Sequence, residues 1–367
     1  MDRHIKTQFT PDYVSHPGET LLEILEEFEM PQRELAKRTG LTPKTINGIT
    51  NGISPISPDT ALRLERVFGI PASFWNNRER SYREALVRNK ERKNLDSFKI
   101  IEWLNSMPFK EMVNYGWIPR VKSDRIKKIQ TLLNFFGFAS PNNFNKWWAN
   151  CQAKFRMSTA RPINKGALAA WLRQGKILGR EIDCELFNKS KFIDSLYKIR
   201  FLTVLDPKEF VPKAKKLCAE SGVALVLVPE LPNTGVWGAS RWLTSNKALI
   251  QLSIRYKTND HFWFSFFHEA AHILKHNKRL VYLENDSKYF SDEEREANNF
   301  AANILIPSAN YRRLIRSPKL SKKLILRFSE QIGIHPGIIV GRLQHEGLLD
   351  YRFHNKLKMH LKWVISQ

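Results

Sequence analysis

A chain of 367 residues can hold two or three domains, and a hydrophobic content of 42% is ordinary for globular protein, which argues against disorder. It has no apolar run of about 18 residues or more, no signal-like apolar stretch in MDRHIKTQFTPDYVSHPGE, and three scattered cysteines, Cys151, Cys184 and Cys218; this speaks against a membrane span, a leader, and a disulfide or thiolate-zinc framework, so a cytoplasmic location is expected. The formal charge of +23 is uneven, −1 over residues 1–85, +15 over 86–220 and +9 over 221–367, so a basic face for nucleic acid or an acidic partner would lie behind the N-terminal segment.

Residues 1–85 predict a five-helix domain. Leu21, Leu22, Leu25 and Phe28 recur at helical spacing. Pro31 opens a second helix, Gln32–Thr39, and Gly40 ends it. Thr42 caps a third helix that starts at Pro43 and stops at Asn51-Gly52. Segments 58–68 and 71–83, each begun by a proline, supply two more. Gln32 to Asn51 has the buried pattern of a helix-turn-helix. Leu35 and Ala36 face inward, Gly40 makes the turn, and Leu41, Ile46 and Ile49 close a small core. A plain helical hairpin accounts for fewer of these placements.

In such a motif the second helix enters the major groove. Its outward residues here are Thr42, Lys44, Thr45 and Asn47. Lys44 suits a guanine edge or a phosphate, and Asn47 suits adenine. Gln32 and Arg33 are placed for backbone contacts. The run from His16-Pro17-Gly18-Glu19 through QRELAKRTGLTPKTINGITNG to SPDTALRLERVFGIPASFWNN resembles the HigA-type antitoxins among phage-repressor-like helix-turn-helix proteins. The resemblance implies a homodimeric domain that binds double-stranded operator DNA at its own promoter, often beside a toxin gene.

Residues 86–200 read as a basic, aromatic-rich helical connector. Arg88 to Lys93 is a charged stretch, a solvated helix or linker. Trp103, Trp117, Trp147, Trp148 and Trp171 are assigned to packing rather than to stacking on nucleic acid. From residue 221 the pattern changes. Segments 223–228, 235–242 and 248–253 read as strands, and Asn259–Lys275 as a helix.

That helix contains His268-Glu269-Ala270-Ala271-His272. Positions i and i+4 face one way, so His268 and His272 can offer nitrogens to one Zn2+ ion. Glu269 lies beside the water at the open position and suits a general base. A third ligand is needed. Ser291 to Phe300 is a strong helix start with Ser291 as cap. Glu294 is the choice, one turn before Asn298, which would orient it or a ligand histidine; Glu293 and Glu296 are alternatives. His276 fails as a ligand while the helix continues, because eight residues rise about 12 Å; a role behind the ligands or toward a partner suits it better.

The run Phe262 to Leu274, the run Glu294 to Pro307, and the tail Ile332 to Leu343 resemble the ImmA/IrrE metallopeptidases. The resemblance implies a gluzincin-like site with zinc on His268, His272 and Glu294, Glu269 as base, and a repressor or regulator as substrate. The tail could also be read as a second DNA-binding helix pair, but its few outward basic residues favour packing.

The expected architecture is therefore mostly α with a small β-sheet. Residues 1–85 form the helix-turn-helix domain, 86–200 the connector, and 201–367 an α+β metallopeptidase domain with a small helical tail. The expected function is a DNA-binding regulator or antitoxin with a zinc endopeptidase that cleaves a partner (toxin or repressor) or itself. The alternative is a non-enzymatic antitoxin or repressor whose zinc domain is structural, sensory or partner-binding.

Overall fold

The computed structural model describes residues 15–152, 164–276, 282–285 and 291–363. The leader-free reading of the first 14 residues and the side chain of Cys151 lie outside the described residues. Cys184 and Cys218 are free thiols. No helix among the described residues is long and apolar enough to cross a membrane. The chain divides into two compact units, Met1–Ile101 and Glu102–Gln367.

The first unit contains α1 (Pro17–Glu27), α2 (Gln32–Thr39), α3 (Pro43–Thr50), α4 (Pro58–Phe68) and α5 (Ala72–Leu95). Its core is Leu21, Leu35, Ile46, Ile49, Ala61, Leu64 and Trp75, each at most 1% exposed. Gly40 sits at φ +70° after α2, a left-handed conformation that a side chain resists. Thr42 and Ser57 cap α3 and α4 by accepting from Thr45 and Thr60 backbone N–H. The fifth helix continues twelve residues past its expected end at Arg83. No glycine or proline interrupts Ala72–Leu95, and Arg83 and Arg88 pair with Glu79 and Glu84 one turn earlier. The charged stretch Arg88 to Lys93 is thus an exposed helical face.

The second unit begins inside α6 (Phe98–Asn105) and continues through α7 (Phe109–Asn114), α8 (Arg125–Phe136) and α9 (Pro141–Gln152). Here Trp103, Phe136 and Trp148 gather around the buried ring of Phe144, which Trp148 stacks at 6.4 Å. Then come α10 (Lys165–Glu181), α11 (Lys189–Arg200) and α12 (Pro207–Ala219). Three strands follow, β1 (Val223–Leu227), β2 (Val236–Thr244) and β3 (Lys247–Leu252), before α13 (Asn259–Lys275). A short fourth strand, β4 (Tyr282–Asn285), was not foreseen. It joins β2 antiparallel and completes a sheet of order β1-β3-β2-β4. The chain closes with α14 (Asp292–Leu305), α15 (Ser308–Ile315), α16 (Lys322–Ile332) and α17 (Pro336–His345).

The sheet is covered on both faces, and β3 shows how. Ala248, Ile250 and Leu252 join the core that contains α13. Leu249 and Gln251 alternate to the other face and meet α10 at Gly179 and Gly175. Trp171 on α10 donates its indole N–H to Val228 O at 3.0 Å, and Gln251 donates back to Trp171 O at 2.7 Å. Residues 102–200 pack in one unit with the C-terminal elements, because α10 forms an outer layer of the sheet. The tail helices pack rather than point outward: Ile338, Ile339, Val340 and Leu343 of α17 are buried in the same core as α13.

Candidate metal centre

The site is built by α13 and α14. Fourteen of the seventeen residues of α13 are buried, because Phe262, Trp263, Phe266 and Phe267 fill one side and the sheet and α14 cover the rest. His268, Glu269 and His272 are consequently 1%, 0% and 2% exposed. Helix α14 starts where its cap predicts, with Ser291 accepting from Glu294 N–H. Ala297 and Ala301 are the contact side, small enough for two helices to approach closely.

This packing brings His268, His272 and Glu294 together. The two Nε2 atoms are 2.9 Å apart. Glu294 Oε2 lies 3.2 Å from His268 Nε2, and Oε1 lies 3.4 Å from His272 Nε2. Tetrahedral ligands at zinc bond lengths are about 3.3 Å apart, so the triangle has the right size for one small ion. Two imidazoles and a carboxylate are also the donors such an ion takes. Among the described residues this is the one group of three potential donors that converges.

The other acids on α14 lie elsewhere. Glu293 Oε2 accepts from the Ser291 hydroxyl at 3.3 Å. Glu296 is half exposed and accepts from Lys275 Nζ at 2.7 Å and from the His276 ring at 3.2 Å. Those two hydrogen bonds hold its carboxyl below the ordinary range. Behind His268, the Nδ1–H donates to Asn298 Oδ1 at 2.9 Å. Behind His272, Nδ1 lies 2.8 Å from Nδ1 of His276. Burial, then the neighbouring rings of His268 and His276, push the His272 imidazole well below its ordinary pKa, so it is neutral. Neutral imidazole is the form that donates a lone pair.

The buried Glu269 carboxylate lies against β2. A Cβ placed on Gly238 would come within 2.7 Å of Glu269 Oε1 and 2.8 Å of its Cγ. Only glycine leaves room there for the glutamate. Tyr282 on β4 stacks on the His272 ring at 4.2 Å and 16°. Reading the sequence for chemistry missed Gly238 and Tyr282. A glycine inside a strand pattern does signal close approach; Tyr282 carried no such mark. A cavity of 730 Å³ lies along the side of α14 that bears Glu296, Asn299 and Phe300, with Tyr197 and Lys275 on its walls.

In the first unit, Arg33, Thr42, Lys44 and Asn47 are exposed, and Gln32 and Thr45 are half-buried. The Thr42 and Thr45 hydroxyls lie 2.9 Å apart within the cap. The Asn47 Oδ1 accepts from Asn51, which leaves its Nδ2 as the outward donor.

A buried histidine pair one turn apart, a glutamate between them and a carboxylate from a second helix form a group that could hold a metal ion, in a chain that also carries a helix-turn-helix unit. Comparison with known proteins gives these parts their families. Residues 21–75 match the helix-turn-helix family, and residues 226–339 match the IrrE N-terminal-like domain family. Its N-terminal part is 41% identical over 68 residues to virulence-associated protein I of Dichelobacter nodosus, and 27% identical over 66 residues to the uncharacterized HTH-type transcriptional regulator YddM of Escherichia coli K12. Each match covers 18% of this chain, and the chain spans 63% and 70% of the length of these two relatives. A solved structure of Pseudomonas aeruginosa antitoxin HigA with the higBA promoter is 34% identical, with a TM-score of 0.22, and covers 23% of this chain and 92% of its own. An addiction-module antidote protein of the HigA family from Coxiella burnetii is 33% identical, with a TM-score of 0.21, over 23% and 91%.

Proposed function

We propose that the chain is a transcriptional regulator of the antitoxin type whose C-terminal domain is a zinc-dependent endopeptidase acting on a partner regulator or on the chain itself. The observation that carries this is the donor triangle of His268, His272 and Glu294 with Glu269 one residue from the first ligand, in a chain that also bears a DNA-binding type of domain. In this reading those three residues hold one Zn2+, and Asn298 fixes the tautomer of His268. When bound, the ion supplies Lewis acidity to a peptide carbonyl and makes a water acidic enough to react near neutral pH. Glu269 takes the proton of the attacking water and carries it to the departing amine nitrogen. Its burial against Gly238 keeps the carboxylate in one orientation. Residues 1–85, as a homodimer, would read the operator through Lys44, Thr45 and Asn47, with Thr42, Gln32 and Arg33 at the edges.

The test of the peptidase is Glu269→Gln in the full chain. It should keep one metal per chain and keep operator binding, while cleavage of a co-expressed candidate regulator is lost. If wild type and variant give the same fragments, or none, under every inducing condition, the peptidase claim fails. The near-complete burial of His268, Glu269 and His272 favours a second reading, a non-enzymatic repressor with a structural or sensory ion. That reading expects Glu269→Gln to be silent and His268→Ala to destabilise the domain. The DNA half is tested by Lys44→Ala on the DNA upstream of the coding sequence. A lost phosphate contact flattens the dependence of log affinity on log salt by about 0.9. Unchanged affinity and slope would remove Lys44 from the interface.

A further inference from the structure

We infer that His276 and Glu296 are positioning residues for the metal ligand His272: they fix its proton on Nδ1 and so leave the Nε2 lone pair facing His268 and Glu294. The inference rests on the metal-centre reading above and deepens it.

The geometry comes from where α13 ends. Its last residue is Lys275, and His276 has left the helix at φ −111° and ψ 175°. The His276 N–H still donates to His272 O at 3.1 Å, so it stands one turn after His272, and its Nδ1 lies 2.8 Å from Nδ1 of His272. The ring's other nitrogen, Nε2, lies 3.2 Å from Glu296 Oε2. Glu296 Oε1 is in turn held by Lys275 Nζ at 2.7 Å. The His276 side chain is 5% exposed, so its contact with His272 is shielded from water, while Glu296 is half exposed.

Two neutral proton arrangements could satisfy the contact between the rings. In one, His272 Nδ1–H donates to His276 Nδ1, and His276 Nε2–H donates to the Glu296 carboxylate. Both contacts of the His276 ring then have one donor and one acceptor. In the other, His276 donates from Nδ1, which strips the proton from its Nε2 and sets a lone pair against a carboxylate oxygen at 3.2 Å. It also moves the His272 proton to Nε2, into the donor triangle, where it blocks coordination. A carboxylate accepts and cannot donate, so Glu296 selects the first arrangement. The two ligand histidines thus have different supports. An amide oxygen from α14 backs His268, and a ring relayed to a carboxylate backs His272. Partners of this kind typically change metal affinity 10–100-fold when removed.

The experiment uses the full chain as wild type, His276→Leu, His276→Asn, Glu296→Ala and the double variant His276→Asn/Glu296→Ala. Zn2+ affinity is measured by competition with a chromophoric chelator. The tautomer of His272 is read by long-range 1H–15N correlation on histidine-labelled, chelator-treated protein. His276→Leu should weaken zinc about 10–100-fold. His276→Asn places an amide oxygen where Nδ1 was, as Asn298 does for His268, and should recover most of that loss. Glu296→Ala should move population from the Nδ1–H to the Nε2–H tautomer of His272 and weaken zinc, but it should be silent when His276 is already Asn. A merely structural role predicts neither the rescue nor the dependence of Glu296 on His276. The inference is overturned if His276→Leu binds zinc like wild type, if Asn rescues no better than Leu, or if Glu296→Ala leaves the tautomer unchanged. If instead the wild type itself takes up no zinc, the metal-centre reading is what fails, and the tautomer measurement still reports on the relay.

Discussion

Gly238→Ala is the sharpest probe of how Glu269 is held. The added methyl would meet Glu269 Oε1 at 2.7 Å, Cγ at 2.8 Å and Cδ at 3.1 Å. Ordinary carbon contacts begin near about 3.5 Å, so one side must give by roughly 0.7 Å. Neither side is free to do so. Gly238 is paired in the ladder with Leu252 on β3 and Glu284 on β4, and Glu269 is wholly buried. Overpacking of this kind costs about 1–3 kcal/mol. For a domain of this size each kcal/mol lowers the melting temperature by about 2–4 °C. The decisive measurement is a double-mutant cycle with Glu269→Ala in thermal or urea unfolding. Removing the Glu269 side chain makes room for the methyl, so the two changes should couple by about 1–3 kcal/mol. Zinc affinity should change little, because the three atoms nearest the added methyl all belong to Glu269, which is not one of the three donors. Additive effects within about 0.5 kcal/mol would show that the glycine has nothing to do with the glutamate.

Two further outcomes follow from the segments that hold α13. Lys358 Nζ and Asp260 Oδ2 form a buried ion pair at 2.6 Å, so Lys358→Met strands a carboxylate and should cost about 3–5 kcal/mol in urea unfolding. The lower end is expected because Asp260 also sits at the N-terminus of α13, where the helix dipole favours it. Adding Asp260→Asn should recover most of the loss, and no recovery would refute the account. His335 Nδ1 accepts from Asn259 Nδ2 and Gly337 N–H, and burial holds its pKa below the ordinary value against the pull of Asp260. A depressed histidine stabilises the fold fully above its unfolded pKa of about 6.5, and that stability is lost as pH falls below it. His335→Asn keeps an acceptor for Gly337 without the proton, so its unfolding midpoint should fall less between pH 7 and pH 5. Equal slopes in both proteins would exclude His335 as the source.

Local signals made much of this architecture readable. Caps and prolines marked α2, α3, α4 and α14 within a residue or so, because Thr42, Ser57 and Ser291 bond the first free N–H groups of their helices. The donor triangle was legible for a similar reason: i, i+4 on one helix and Glu294 with Asn298 on another are short-range patterns. What escaped was long-range. Helix α10 looked like connector because its glycines, Gly175 and Gly179, carry meaning only when β3 is laid against them. Strand β4 has four residues, too few to show an alternation. The i, i+4 step from His272 to His276 was legible, and so was a place for His276 behind the ligands; its partner Glu296 was not, because it comes from a second helix.

Those long-range contacts also bear on how far the site is formed before an ion arrives. Nothing in HExxH fixes where α14 lies. Its far end is tied by Arg200, which donates to Ile304 O and Leu305 O at 2.8 and 3.1 Å, and by Arg342, which donates to Ala302 O and Ile306 O at 2.8 and 3.0 Å. Arg342 is itself held over the Tyr311 ring at 3.7 Å. The start of α13 is tied by Asn259 N–H to Met359 O, by Met359 N–H to Asn259 Oδ1, and by the Lys358 ion pair. None of these anchors is a metal donor. Chelation should therefore leave the second unit folded, unlike small zinc modules that unfold without metal. Treated with a strong chelator, the protein should keep its near-ultraviolet dichroism and a cooperative unfolding transition. Zinc added back should raise the midpoint by mass action, about 2.7 kcal/mol at a free concentration one hundred times Kd. Loss of the near-ultraviolet signal on chelation would mean that the ion, and not Arg200, Arg342 and Lys358, holds the two helices together.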